Sequence, residues 1–314
     1  MRDGATDALH VGHVAVVDVA GRVIAAHGDP SVVTYPRSAL KPFQAAAALQ
    51  LLADHPPADE IAIMAASHVG TRTHQAAVVR VLDRAGLTAG ALGCPPALPT
   101  DPAALLERPE PTPLAHSCSG KHAGFLLAAV TAGAGPEDYL DEDHPVQRAV
   151  WSLLRTATAT QPSGPGVDGC GAPAWRVPLM ALARAFATAT ADHAELGAVA
   201  AAMQTHPLLI AGHDVVDTEL MRAEPAIVAK RGAEGTLAFA APSPAGPVGV
   251  AIKVSDGAMR AVGPVAVAIL QRLGLRATPA LRRPVVLGGG VAHGAIEVAP
   301  ELQRSLADLS RSLH

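Results

Sequence analysis

His10-Val11-Gly12-His13-Val14-Ala15-Val16-Val17-Asp18-Val19-Ala20-Gly21-Arg22-Val23-Ile24-Ala25-Ala26-His27 places two runs rich in β-branched residues on either side of an Ala20-Gly21 turn. β-branched side chains fit a pleated surface and glycine reverses the chain, so this stretch predicts a β-hairpin. A second hairpin is predicted near the other end, where strand-like runs over 235–242 and 247–254 flank Pro242-Ser243-Pro244-Ala245-Gly246. Pro284-Val285-Val286-Leu287, followed by Gly288-Gly289-Gly290, reads as a further short strand. Between the hairpins the periodicity changes to helical, over 38–54, 73–86, 121–132, 145–157, 176–190 and 193–204, with a further helix over 263–274. Pro42 falls in the first turn of the 38–54 helix, which is therefore expected to start near Ser38 or Ala39. Residues 61–67 form a short apolar run ending in polar residues, and a proline-rich connection spans about 95 to 114. Strands, then helices, then strands imply an α/β chain whose antiparallel sheet is built from both chain ends, with a helical lobe inserted between.

Bulk properties remove several function classes. The chain has 314 residues, a formal net charge of −4 and only 3% aromatic residues. With no basic stripe and no stacking platform, nucleic acid is not an expected partner. No apolar stretch of about 18 residues occurs, so no membrane span is expected. The N-terminal Met1-Arg2-Asp3-Gly4-Ala5-Thr6-Asp7 carries no secretory pattern. Three cysteines are too few, and odd in number, for a disulfide framework, which points to a reducing cytoplasm.

Three motifs carry chemistry. In Arg37-Ser38-Ala39-Leu40-Lys41-Pro42-Phe43-Gln44 a serine and a lysine stand three residues apart, one helical turn. That spacing lets an amine take a proton from a hydroxyl. The plain alternative is a helix cap with a solvated lysine. Lys41 lies among apolar and small residues, however, and burial would lower its pKa and free its lone pair. Ser67 and Lys253, each at the end of an apolar run, form a second pair. Lys253 sits in Val250-Ala251-Ile252-Lys253-Val254, a strand where an exposed lysine is common. The other motifs are His116-Ser117-Cys118-Ser119-Gly120-Lys121-His122 and Val167-Asp168-Gly169-Cys170-Gly171-Ala172-Pro173. Their cysteines are either small buried side chains or, given their glycine neighbours, ligands on a loop that wraps a soft ion such as zinc. Asp168 is either the start of an Asx-turn or a carboxylate for a substrate ammonium. His122 is either a second-layer group or solvated, and Arg37 pairs with a substrate carboxylate or a surface acid. Cys94 and Trp175 read as core.

These motifs, with Ala66-Ser67-His68, Asp217-Thr218-Glu219-Leu220-Met221 and Lys230-Arg231-Gly232-Ala233-Glu234-Gly235, resemble the L-asparaginase II family, the rhizobial-type asparaginases. The resemblance runs in one order from about residue 10 to residue 290. It implies a fold similar to serine β-lactamases and penicillin-binding proteins, a homodimer, and hydrolysis of L-asparagine to aspartate and ammonia. It implies Ser38 as nucleophile, with Lys41, Ser67 and Lys253 handling protons, and Arg37, Asp168 and His122 meeting the substrate. It also implies one zinc per chain on Cys118, Lys121 and Cys170, supporting substrate binding rather than chemistry. The residues alone leave metal-activated water open. The chain departs from the family at Ser117, at Pro95-Pro96-Ala97 and at Gly212-His213-Asp214, positions that bear on pocket shape. On this reading residues 1–314 form a single catalytic domain, with a sheet lobe over about 9–36 and 233–300 and a helical lobe over about 37–232. The alternatives are another serine amidase, for glutamine, a β-lactam or a peptide, and a non-catalytic zinc or redox protein built on Cys118 and Cys170.

Overall fold

The computed structural model describes residues 1–189, 194–307 and 309. In chain order the strands are β1 Gly12–Asp18, β2 Val23–His27, β3 Val33–Thr34, β4 Ser163–Val167, β5 Pro173–Pro178, β6 Val228–Gly232, β7 Thr236–Ala241, β8 Val248–Val254, β9 Val285–Gly288 and β10 Val291–Ala295. The α-helices are α1 Lys41–Leu49, α2 Ala58–Met64, α3 Arg72–Arg84, α4 Pro102–Glu107, α5 Ser119–Thr131, α6 Pro145–Thr158, α7 Leu179–Ala189, α8 Ala194–Thr205, α9 Pro207–Ile210, α10 Val216–Ala223, α11 Val262–Arg272, α12 Pro279–Arg282 and α13 Pro300–Ser305. The fold is mixed α/β, and every strand pairing among the described residues is antiparallel.

The chain divides into two compact units. The sheet unit comprises Met1–Ala39, Val177–Thr188 and the described residues from Glu219 onward. Its five strands run in the order β2-β1-β8-β7-β6, so the N-terminal hairpin joins the C-terminal one through β1 and β8, with Val14 opposite Ile252. β7 is buried along its whole length and β8 at all but Lys253. A strand buried on both faces needs apolar residues throughout, which Val248 to Val254 supplies except at that lysine and at Gly249, which has no side chain. α7 lies directly on β8. A Cβ on Gly249 would stand 1.8 Å from the Ala183 carbonyl oxygen, so only glycine admits this approach. The turn between β6 and β7 places Glu234 and Gly235 at φ +57° and +67°. Two successive left-handed residues make the hairpin turn that matches the twist of its strands.

The helical unit comprises Leu40–Arg176 and the described residues from 189 to 218. α1 is its centre and all nine of its residues are buried. Ala45-Ala46-Ala47-Ala48 keep the helix thin, which lets α2, α5, α6 and α8 close around it.

Several sequence expectations shift. The 38–54 helix begins three residues late, because Arg37–Leu40 is a 3₁₀ turn, and α1 ends at Leu49. The expected helix over 176–190 begins at Leu179, since Pro173–Pro178 is strand β5, paired with β3 and β4. Proline at both ends disguised that strand. Residues 190 and 193 of the two helices expected there lie outside the described residues. β6, β10 and α10 were not anticipated at all.

Candidate active site

Lys41 occupies the first position of α1, immediately after the 3₁₀ turn that carries Ser38. Pro42 stabilises this helix start, because its fixed φ suits the first turn and its missing N–H would have had no partner. Only 1% of Lys41 is exposed, so the solvated-lysine reading is wrong. Its Nζ donates to the Ala66 carbonyl at 2.5 Å and the Ser117 carbonyl at 3.2 Å, and lies 2.9 Å from Ser67 Oγ. Burial is the main cause pulling this amine below its ordinary range. The Lys121 charge acts the same way, while Cys118 and Cys170 oppose it. The positive end of α1 also disfavours an ammonium there.

Ser67 follows the end of α2. Its backbone N–H bonds to Ile210 and that of Val69 to Ala211, which pins the segment. The Cys118 motif follows a different logic from the one expected. Cys118 is the N-cap of α5 rather than part of an open loop, and only 6% of it is exposed. Gly120 serves close packing: a Cβ there would meet the Ile63 carbonyl oxygen of α2 at 2.1 Å. Gly124, one turn on, would meet Met64 at 2.8 Å. The glycine beside Cys118 therefore serves helix contact, which corrects the ion-wrapping argument at that position.

Lys121, 3% exposed, donates to Cys170 Sγ at 3.1 Å. Cys170 sits in a turn closed by Gly171 N–H to the Asp168 carbonyl, with Gly171 at φ +86°. A hydrogen bond with the Cys170 thiol is the main cause holding Cys118 well below the ordinary thiol range. It outweighs burial, and the Lys41 and Lys121 charges act with it. The same bond, with burial, pushes Cys170 up. Burial alone would pull Lys121 down, but Cys170 and Cys118 hold it above its usual value. The cluster thus favours the charged forms of Cys118 and Lys121 and the neutral form of Cys170. Asp168 is half-buried, accepts from the Gly169 N–H at 2.8 Å, and adds its charge to the field on Lys121.

His122 is fully buried, which corrects the solvated alternative. Its Nδ1 lies 2.6 Å from the Tyr139 hydroxyl, which itself accepts from the Gly93 N–H at 2.7 Å. The Tyr139 oxygen can accept a second bond or donate its own proton to Nδ1, and the other ring nitrogen, Nε2, is buried with no hydrogen-bond partner among the described residues. Burial, then the Lys121 charge, holds this ring well below its ordinary pKa.

The remaining candidates belong to the sheet unit. Arg37 stands at φ +55°, a left-handed conformation that costs a non-glycine residue roughly 1–3 kcal/mol and concentrates at functional sites. It is held there partly by β6, since a Cβ on Gly232 would lie 2.0 Å from the Pro36 carbonyl oxygen. Ser38 is half-buried in the turn that follows. Lys253, opposite His13 on β1 and Thr236 on β7, donates to the Glu234 carbonyl. Burial lowers its pKa first, the Arg37 charge lowers it further, and Glu234 opposes both.

The chain matches the L-asparaginase II family over residues 1–297. It belongs to that family. A comparison with curated proteins finds no match. The matched span includes every candidate residue. A cavity of about 700 Å³ also exists, but in the sheet unit, lined by His10, His13, His27, Lys253 and Arg260 among others. Lys253 is the one proposed site residue that lines it; none of Lys41, Ser67, Cys118, Lys121 or Cys170 does. Among the described residues no group of three or more His, Cys, Asp or Glu could hold a metal ion, and no helix is long and apolar enough to cross a membrane.

Sequence reasoning missed two kinds of participant. Backbone carbonyls of Ala66 and Ser117 leave no side-chain signal. His68 and Ser119 were visible inside quoted motifs, but their partnership joins segments 51 positions apart.

Proposed function

We propose that the chain is an L-asparaginase, an amidohydrolase that converts free L-asparagine to L-aspartate and ammonia with a serine nucleophile. The observation that carries this reading is Lys41: a buried amine, depressed below its ordinary pKa, within hydrogen-bond reach of a serine hydroxyl in a member of this family. The Ala66 and Ser117 carbonyls can only accept. In the neutral amine they take both N–H protons, and the lone pair is left to accept from the Ser67 hydroxyl. The same three acceptors, with Cys118 beside them, also satisfy the charged amine, so the site can hold both of the proton states between which a base must pass.

Ser38 is the nucleophile in this reading, supported by the Ser-x-x-Lys spacing, the strained Arg37 before it and the family resemblance. Its Oγ attacks the amide carbon while its proton passes to the lysine–serine base. The tetrahedral adduct collapses, the C–N bond breaks, and ammonia leaves with the returned proton. Water then attacks the aspartyl ester, gives a proton to the base, and the C–O bond to Ser38 breaks with that proton restored. Arg37, Asp168 and His122 are assigned to the substrate, and Lys253 to the proton machinery, by the resemblance. The finer architecture we read is that of serine β-lactamases and penicillin-binding proteins, supported by the five-stranded antiparallel sheet and by Ser-x-x-Lys at the start of a buried helix. A homodimer and a cytoplasmic location complete the reading.

The donor set suits zinc: two sulfurs, one already favoured as thiolate, and a lysine amine at 3.1 Å from one of them. Cys118, Lys121 and Cys170 would hold one ion per chain, and when bound it supplies positive charge that orients the substrate. Lys121 is held above its ordinary pKa without metal, so loading must release protons and weaken as pH falls.

Ammonia release from asparagine and from glutamine, with and without chelator, tests the proposal. Turnover of asparagine at least about a hundredfold better in kcat/KM is expected, because an added methylene misplaces the amide by roughly 1 Å. Comparable turnover of glutamine, or turnover only of a β-lactam or peptide, would move the assignment to another serine amidase. No turnover of any amide would end it.

A further inference from the structure

We infer that His68 is a positioning residue. Its ring straps the Ser67 segment to the start of α5 through Ser119, and so holds in place the carbonyl clamp around Lys41. The inference rests on the catalytic reading of Lys41 and Ser67 above.

His68 is 1% exposed and Ser119 is fully buried. The Gly70 N–H donates to His68 Nδ1 at 3.1 Å, which places the ring proton on Nε2. Nε2–H then donates to Ser119 Oγ at 2.9 Å. Ser119 passes its own proton to the Leu114 carbonyl at 2.9 Å. Every donor in this chain has one acceptor and the direction admits no reversal. His74 stacks on the ring at 5.1 Å and 13°, and is itself anchored to the Leu208 carbonyl at 3.0 Å. The ring plane is therefore set as well as its tautomer.

The strap lies parallel to a second connection. Lys41 reaches Ala66 and Ser67 on one segment and Ser117 on the other. His68 follows Ser67 by one residue and Ser119 follows Ser117 by two, so the imidazole–hydroxyl bond bridges the same two segments. Lys41 must gain and lose a proton in each cycle, and its hold on the two carbonyls changes when it does. A bond that does not take part in proton transfer keeps the acceptors in register through that change. Misplacement of a base by about 1 Å can cost on the order of a hundredfold in rate.

Three variants separate this role from plain core packing. The terminal amide nitrogen of His68→Gln falls where Nε2 stands and can still donate to Ser119. The amide oxygen of His68→Asn falls where Nδ1 stands, keeps the Gly70 contact and loses Ser119. Ser119→Ala loses the bond from the other side. We expect His68→Asn and Ser119→Ala to lower kcat by roughly ten- to a hundredfold with KM within about twofold, and His68→Gln to retain kcat within about threefold. The double variant His68→Asn/Ser119→Ala should be no worse than either single, because one bond is lost once. Full kcat in both singles, or additive losses, would overturn the inference. If the parent protein releases no ammonia from asparagine, the catalytic reading fails separately. The strap is then read from amide exchange at Ser67 and Val69, whose N–H groups bond to Ile210 and Ala211. Exchange there should rise at least about tenfold in Ser119→Ala at unchanged global stability. Unchanged protection would show that the ring positions nothing, and the same measurement serves if His68→Asn does not fold.

Discussion

Lys41 Nζ and Ser67 Oγ lie 2.9 Å apart although 26 positions separate them, and the amine also meets two carbonyl oxygens and the Cys118 side chain. The spacing Ser38-x-x-Lys41 drew attention to a different serine. The hydroxyl bonded to the amine belongs to Ser67, which the sequence marks by an apolar run ending in Ser67-His68 and by the family resemblance of Ala66-Ser67-His68, and which it pairs with Lys253 rather than with Lys41.

Removing that hydroxyl should slow proton transfer without unfolding the protein. Ser67→Ala is expected to lower kcat by about 10²-fold or more, the usual worth of a positioned acid–base group. Lys41→Met should lower it at least as far. Steady-state ammonia release measures both, and a Ser67→Ala enzyme within threefold of the parent would exclude Ser67 from the proton path.

Ser38→Ala should abolish turnover, with a loss of at least about 10³-fold in kcat, as expected for a nucleophile. Trapping of an ester on Ser38, seen as a mass increase on a peptide containing residue 38, should vanish in the variant. An ester found on Ser67 instead would exchange the two roles.

Metal content should track the sulfurs. Protein loaded with zinc should carry about one ion per chain, and Cys118→Ala or Cys170→Ala should lose it. Because Lys121 must give up a proton to bind, zinc affinity should fall as pH falls. Affinity that does not change between pH 8 and pH 6 would remove Lys121 from the ligand set.

Acid should unfold the protein early. His68, His74 and His122 are buried and their pKa values are depressed, first by burial in each case. The unfolded chain takes up protons below about pH 6.5 while these rings resist, so stability is complete above that pH and falls as pH drops through the depressed values. Each ring contributes a slope of up to about 1.4 kcal/mol per pH unit. Urea midpoints at pH 7.5 and pH 5 should therefore differ clearly, and equal midpoints would contradict the neutral, buried rings.

Gly120→Ala and Gly197→Ala should move stability in opposite directions. Both glycines lie in helices, where alanine is intrinsically better by about 1 kcal/mol. At Gly197 of α8 nothing stands within 4 Å of the added methyl, so a gain is expected. At Gly120 the methyl meets a backbone carbonyl at 2.1 Å, and overpacking of roughly 1–3 kcal/mol or more outweighs the propensity gain. Thermal melts of the two variants decide the point.

The sheet was legible because its pairing partners announce themselves by pattern: β-branched runs around glycine turns at 10–27 and 235–254 became β1, β2, β7 and β8. β6 was not, since Val228–Gly232 contains Lys230 and Arg231 and lacks alternation. β5 was hidden by its terminal prolines. At the candidate site, type and spacing single out Ser38 and Lys41 and the two cysteine motifs, and the family resemblance supplies the roles of the others. What spacing could not give was contact across long sequence separations, such as Lys41 with Ser67, Lys121 with Cys170 and His68 with Ser119. The glycine beside Cys118 was visible, but its reason was not, because a close helix approach and a flexible loop call for the same residue.

That close approach has a consequence for how the site behaves in time. Only a hydrogen atom separates α5 at Gly120 from the main chain of α2 at Ile63, so neither helix has room to slide along the other. The residues just beyond α2, which supply Ala66 and Ser67, and those just before α5, which supply Ser117 and Cys118, travel as one block. The geometry around Lys41 is then assembled once, when the chain folds, and arrival or departure of a small molecule finds it already made.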